Sequence, residues 1–159
     1  MMTPQHYPFT LGALRCHVRF DGAVTLGREG ILRRYPDASE AEVRAAFAAI
    51  GQTLDDADSA FNLLLIEQGD VRILVDAGEG GKHQGGEVVK SLRVAGMTPD
   101  AITHIVLTHT HRDHVLGLLT HDSAPVFPSA RYLISHQEMA YWRGRVRRAG
   151  EGFMWEKAM

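Results

Sequence analysis

Three of the chain's nine histidines fall within the six residues His109-Thr110-His111-Arg112-Asp113-His114. A β-branched apolar run, residues 102–108, leads straight into this cluster, and Val115, Leu118 and Leu119 follow it with the spacing of a short helix. The placement fixes directions. On an extended chain residues two apart point the same way, so His109 and His111 can share one metal ion. Asp113 and His114 fall where the chain turns into helix, and as neighbours they cannot share the direction of the first pair. They can serve a second ion beside it. Imidazole and carboxylate suit Zn²⁺, whose bound water ionises near about pH 7, and two ions about 3.5–4 Å apart can activate one nucleophile. A carboxylate at Asp113 can orient that nucleophile and later carry its proton to the leaving group. The competing reading, a polar loop with incidental histidines, fits poorly with so dense a cluster between an apolar strand and an apolar helix.

The remainder reads as alternating strands and helices. Leu14, Cys16, Val18 and Phe20 alternate with polar residues as in a half-buried strand, and Asp21-Gly22 signals a hairpin returning through Ala23–Leu26. Residues 27–37 look like loop. Ser39-Glu40-Ala41-Glu42 is a capping box opening a helix whose apolar face is Val43, Phe47 and Ile50, with Gly51 as its stop. Asp55, Asp56 and Asp58 read as a solvated acidic run. Phe61–Ile66 and Val71–Val75 form a hairpin of buried strands. Asp76-Ala77-Gly78 then opens a glycine-rich loop to Gly86, followed by a helix over residues 87–95 closed by Gly96. The loop lacks the spacing of a phosphate cradle. After the histidine cluster come a strand, Ala130–Ile134, and a helix from about His136 with Met139, Trp142 and Val146 on one face. The order is that of a mixed α/β chain.

Length and charge narrow the function classes. At 159 residues there is room for one domain, and 45% hydrophobic residues supply a core. Seventeen basic against nineteen acidic side chains leave a net charge of −2, which gives no electrostatic case for nucleic acid or an anionic membrane. The basic run Arg143, Arg145, Arg147, Arg148 reads as a solvated helix face. Cys16 is the only cysteine, so no internal disulfide is available. Neither a membrane span nor a signal-like start is visible, and a cytoplasmic location is expected. Oligomeric state is left open.

The residues around the cluster resemble those of a known family. Thr108–His114 followed by Gly117 looks like the HxHxDH motif of the metallo-β-lactamase-fold hydrolases. Leu74-Val75-Asp76-Ala77-Gly78 resembles that family's upstream "LVDTG" segment. Ala95–Pro99 with Ile102–Leu107 is similar to the helix end and strand that lead into the motif. Phe127-Pro128-Ser129-Ala130-Arg131-Tyr132 with Glu138 and Trp142 resembles the "FPNARY…E…W" stretch of a lactonase-like and methyl-parathion-hydrolase-like branch. The likeness covers about residues 9–145.

The resemblance implies a zinc-dependent hydrolase opening a lactone or other ester-like bond through a metal-bound hydroxide. His109 and His111 would hold the first of two zinc ions and Asp113 and His114 the second. Asp113 would also be the catalytic proton carrier, and Asp76 would steady the site by hydrogen bonding. Iron or manganese suits the same donors. The implied fold is α/β, the N-terminal half of a four-layer αββα sandwich, so that residues 1–159 form a single incomplete domain with an apolar sheet face left open. The family's further ligands, a third histidine, a bridging aspartate or cysteine and a last histidine, have no counterparts after His114, where only His121 and His136 remain. The alternative is therefore a truncated, non-catalytic fragment that binds metal weakly. Of the other histidines, His104 is expected to be structural and His121 and His136 to lie on the surface, while His83 sits in the glycine-rich loop where it could touch substrate.

Overall fold

The computed structural model describes residues 6–55, 57–81 and 86–149, with side chains to residue 145. Six strands, β1 (His6–Leu11), β2 (Leu14–Thr25), β3 (Asp58–Gln68), β4 (Val71–Val75), β5 (His104–Leu107) and β6 (Arg131–Ile134), form one sheet in the order of the chain. The β1–β2 and β3–β4 pairs are antiparallel hairpins, whereas β4–β5 and β5–β6 are parallel. Parallel neighbours need a crossover, supplied here by the helices α3 (Val88–Val94) and α4 (Arg112–Val115). Backbone contacts divide the chain into two compact units, residues 23–60 and the rest.

The larger unit is organised by register. Leu65 lies opposite Leu74, and Leu74 beside Ile105, so three fully buried aliphatic side chains form one row across β3, β4 and β5. Val88 and Leu92 of α3 join them in one cluster with Leu63, Ile102, Val115, Leu118 and Phe127. Each such burial contributes about 1.5–3 kcal/mol. On the opposite face Leu64, Ile66, Ile73, Val75 and Val106 keep partial exposure. Tyr7 is 63% exposed, Leu11 66% and Leu133 45%. The open apolar face expected from the sequence is therefore present.

The smaller unit holds α1 (Gly27–Leu32) and α2 (Glu40–Ala49) around Ile31, Val43, Leu54 and Ala57. The capping box is formed: Ser39 N–H donates to Glu42 Oε2 at 2.9 Å, and Glu42 N–H to Ser39 Oγ at 3.3 Å. Gly51 follows the helix at φ 72°. Ile50, assigned above to the apolar face, is 69% exposed, because it caps the last turn beyond the packed stripe. Within residues 27–37, read as loop, α1 forms, and Ile31 is the side chain that buries it. Asp56 lies outside the described residues.

The Asp21-Gly22 hairpin does not form. The turn lies earlier, at Gly12-Ala13, and β2 runs on through both residues. A hairpin aspartate is normally solvated, but Asp21 is fully buried. Its Oδ2 accepts the Glu79 amide and its Oδ1 the Val88 amide, each at 2.9 Å. Burial pushes its carboxyl up, and these amides oppose that. Asp21 thus ties β2 to both ends of the glycine-rich loop. Gly78, at φ 78°, leaves it room: a Cβ there would lie 2.4 Å from Asp21 Oδ2.

Both carboxylate oxygens of Asp21 are used as acceptors, so Asp21→Asn turns an amide NH₂ toward a backbone N–H. A loss of about 1–3 kcal/mol is expected in denaturant unfolding. An unchanged midpoint would show that these bonds do not hold the loop.

Candidate metal centre

The parallel strand β5 ends at Leu107, and the next seven residues carry the histidine cluster. Two backbone bonds bring it back against the end of β4: Ala77 N–H donates to His114 O at 2.8 Å, and Gly117 N–H to Gly78 O at 2.9 Å. This approach requires glycine at 117, where a Cβ would meet Ala77 O at 1.9 Å.

His109 and His111 point the same way, as the extended spacing predicts. Their rings meet edge to face with centroids 4.6 Å apart, and His109 Nε2 lies 3.1 Å from His111 Nδ1. Two nitrogens on one tetrahedral zinc, each at about 2.0–2.1 Å, stand about 3.3 Å apart. Because α4 begins at Arg112, the chain curls and brings His114 beside the pair, its ring 3.9 Å from that of His109. The neighbours Asp113 and His114 also converge, with Oδ2 to Nε2 at 3.5 Å. The donor set thus matches zinc in type and its first pair matches in spacing. Among the described residues, however, no three His, Cys, Asp or Glu side chains are arranged to hold an ion.

Asp76 organises the cluster from behind. It follows β4 at φ 64°, the left-handed region that a non-glycine residue enters at a cost of about 1–3 kcal/mol. Its Oδ1 accepts the Thr108 amide at 2.8 Å, and its Oδ2 lies 2.8 Å from His114 Nδ1. The Thr108 hydroxyl donates to the same carboxylate. His114 Nδ1 is therefore taken by Asp76, while its Nε2 faces Asp113.

Two further carboxylates were not singled out as functional in the sequence. Glu79, 7% exposed, receives Arg112 Nη2 at 2.9 Å. Glu138 Oε1 accepts the Thr110 amide at 2.9 Å, the Thr110 hydroxyl at 2.7 Å and the Trp142 indole N–H at 2.9 Å. It lies on α5 (His136–Ala149). The Thr110 hydroxyl, the Thr110 amide and the indole hold its carboxyl below the usual range. The signal for these partners was Thr110 and Arg112, the two donors standing between the histidines and needing acceptors of their own.

The other described histidines lie apart from the cluster. His104 Nδ1 meets its neighbour Thr103 Oγ1 at 2.9 Å on β5, a structural contact. The His121 side chain is 94% exposed, and His136 is exposed at the start of α5. His83 and the Val146 side chain lie outside the described residues. Met139 and Trp142, expected in the core, are half-buried. Arg143 and Arg145 are exposed, as expected of a solvated face.

Residues 61–153 match the metallo-beta-lactamase superfamily. The chain belongs to that superfamily. Its sheet and helices superpose on AidC, a dizinc quorum-quenching lactonase, with a TM-score of 0.78 and 30% identity, over 86% of this chain and 47% of that one. The fold is thus that of the superfamily's αββα sandwich proteins, represented by one sheet and its helices. Ribonuclease Z of Pyrobaculum calidifontis is 32% identical over 77 residues, 48% of this chain and 24% of that protein. Thioesterase pkgB of Emericella nidulans is 39% identical over 64 residues, 38% of this chain and 18% of that protein. The chain thus spans half or less of the length of each. No helix among the described residues is long and apolar enough to cross a membrane.

The depressed Glu138 carboxyl sets a pH window. Its bonds to Thr110 are at full strength above the unfolded glutamate value, about 4.3, and are lost as pH falls through the lower folded value. The Thr110 amide proton, followed by NMR, should titrate with a midpoint below about pH 4.3. A midpoint at or above that value would contradict the bonding.

Proposed function

We propose that this chain carries one side of the active site of a metal-dependent hydrolase that opens a lactone or another ester-like bond in a small molecule. The observation that carries the reading is the convergence of His109 Nε2 and His111 Nδ1 to 3.1 Å beside a His114 whose other nitrogen is taken by Asp76. A hydrogen bond between the two rings would explain that pair alone, but the third ring 3.9 Å from His109 and the aspartate held at φ 64° behind it support a ligand cluster. The lactonase and thioesterase names among the similar proteins support an acyl–oxygen or acyl–sulfur bond as the target.

His109 and His111 would hold the first metal and Asp113 with His114 the second, zinc being the ion that the donors suit best. Such a centre polarises a carbonyl oxygen and makes a water nucleophilic at neutral pH. The chain's own residues do the rest. Asp76 accepts His114 Nδ1–H, fixing the tautomer and presenting Nε2. Asp113, about one-third exposed, takes the proton of the attacking water and returns it to the leaving alkoxide or thiolate. Glu79 holds the Arg112 guanidinium at 2.9 Å.

A second reading is favoured by one observation: no three donors among the described residues stand ready for an ion. On that reading the 159-residue chain binds metal weakly and does not turn over substrate.

Zinc titration by calorimetry, paired with a lactone-hydrolysis assay, separates the two. The first reading expects two tightly bound ions and turnover that falls by about 10²–10⁴-fold in Asp113→Ala. Weak, sub-stoichiometric zinc and no turnover would support the second. Asp76→Ala should weaken zinc by about 10–100-fold, and an unchanged affinity would remove Asp76 from the site.

A further inference from the structure

The histidine segment begins where ordinary sheet bonding stops. The β5–β6 ladder ends at the pair Leu107–Ile134, so Thr110, three residues on, has no neighbouring strand to accept its amide. Yet Thr110 is 4% exposed, and a buried amide and hydroxyl without acceptors are costly. One atom from another element, Glu138 Oε1, takes both, at 2.9 and 2.7 Å.

That atom is itself well held. Glu138 lies in the first turn of α5, where its own amide donates to Ser135 Oγ at 3.1 Å. One helical turn later, Trp142 Nε1–H donates to the same Oε1 at 2.9 Å. The carboxylate thus substitutes for a missing strand edge at the one residue between His109 and His111. Of the flanking alternate residues, Thr108 gives its amide and hydroxyl to Asp76, and Arg112 gives its guanidinium to Glu79. Three carboxylates from three different segments therefore restrain the residues that alternate with the histidines, and Asp76 reaches His114 as well. Of the three, only Glu138 acts on the residue that both histidines share as a neighbour.

We propose that Glu138 is a positioning residue: by binding the amide and hydroxyl of Thr110 it sets the spacing of the His109 and His111 imidazoles for a common metal ion. This rests on the metal-centre reading above for its purpose, but the geometric claim can be read without metal. Anchoring α5 alone would also explain three hydrogen bonds. It would not couple Glu138 to the environment of the two imidazoles.

The test uses Glu138→Ala, Glu138→Gln, Thr110→Val and Thr110→Ser, with two readouts. In the metal-free chain, NMR follows the imidazole nitrogens of His109 and His111 and hydrogen exchange of the Thr110 amide. Addition of Co²⁺ then gives an affinity and a ligand-field spectrum. Glu138→Ala should shift both imidazoles, speed Thr110 exchange at least about tenfold and weaken Co²⁺ about 10–100-fold. Glu138→Gln, which keeps an acceptor oxygen, should restore most of the wild-type imidazole shifts. Thr110→Val should fall between them, and Thr110→Ser should match wild type.

Unchanged imidazole shifts and Thr110 exchange in a Glu138→Ala chain with native circular dichroism would overturn the proposal. Should that variant unfold, Thr110→Val decides: moved imidazoles support the proposal and unmoved ones overturn it. A wild-type chain that ignores Co²⁺ would overturn the metal-centre reading, while the metal-free spectra still decide the role of Glu138.

Discussion

The carboxylate of Asp76 is the point on which the candidate site hangs. It stands at the end of β4 with its amide bonded to Val106 O at 2.9 Å, so the strand beside β5 is locked to it by backbone. Its side chain then reaches past the strand end to Thr108 and His114, six residues apart in the chain. A single charged group therefore decides where the histidine segment begins and where it ends. The left-handed backbone at Asp76 is the cost of aiming the carboxylate there, and the bonds it accepts offset that cost.

The same logic extends outward. The loop that follows Asp76 must stay close to the segment after the motif, and glycine at 117 permits the approach. Asp21, from the other side of the sheet order, fastens both ends of that loop by its two oxygens. The site is thus built less from its metal-type donors than from buried or half-buried carboxylates that supply acceptors where the sheet cannot. In a half-buried setting, ionised acceptors make shorter and stronger bonds than neutral ones, which suits the task of fixing a loop.

Local patterns told most of this fold. The β3–β4 hairpin, the capping box at Ser39 and Glu42, the helix closed by Gly96 and the strand into His109 each depend on contacts within a few residues, and each was legible. So was the pairing of His109 with His111, since strand alternation alone dictates it. Errors arose where a distant partner overrode a local signal. Asp21-Gly22 has the residues of a turn, yet two amides 58 and 67 residues away keep Asp21 in a strand. Residues 27–37 hold glycines and a proline, but burial of Ile31 supports a short helix. Glu79 looks like an ordinary surface acid, and Glu138 only like a matching residue of a family-like stretch, until Arg112 and Thr110, 33 and 28 residues away, are set against them. No periodicity carries such information.

The sheet order, β1 to β6 without a permutation, has a consequence for assembly. Each strand finds its partner in the strand made just before it, so the sheet can lengthen by one edge at a time as the polypeptide emerges. Contacts of short sequence separation close cheaply and early. The histidine segment would emerge to a β4 already paired and an Asp76 already aimed, but its last restraint arrives only with α5. The centre would then stay loose until Glu138 emerges, well after its own histidines.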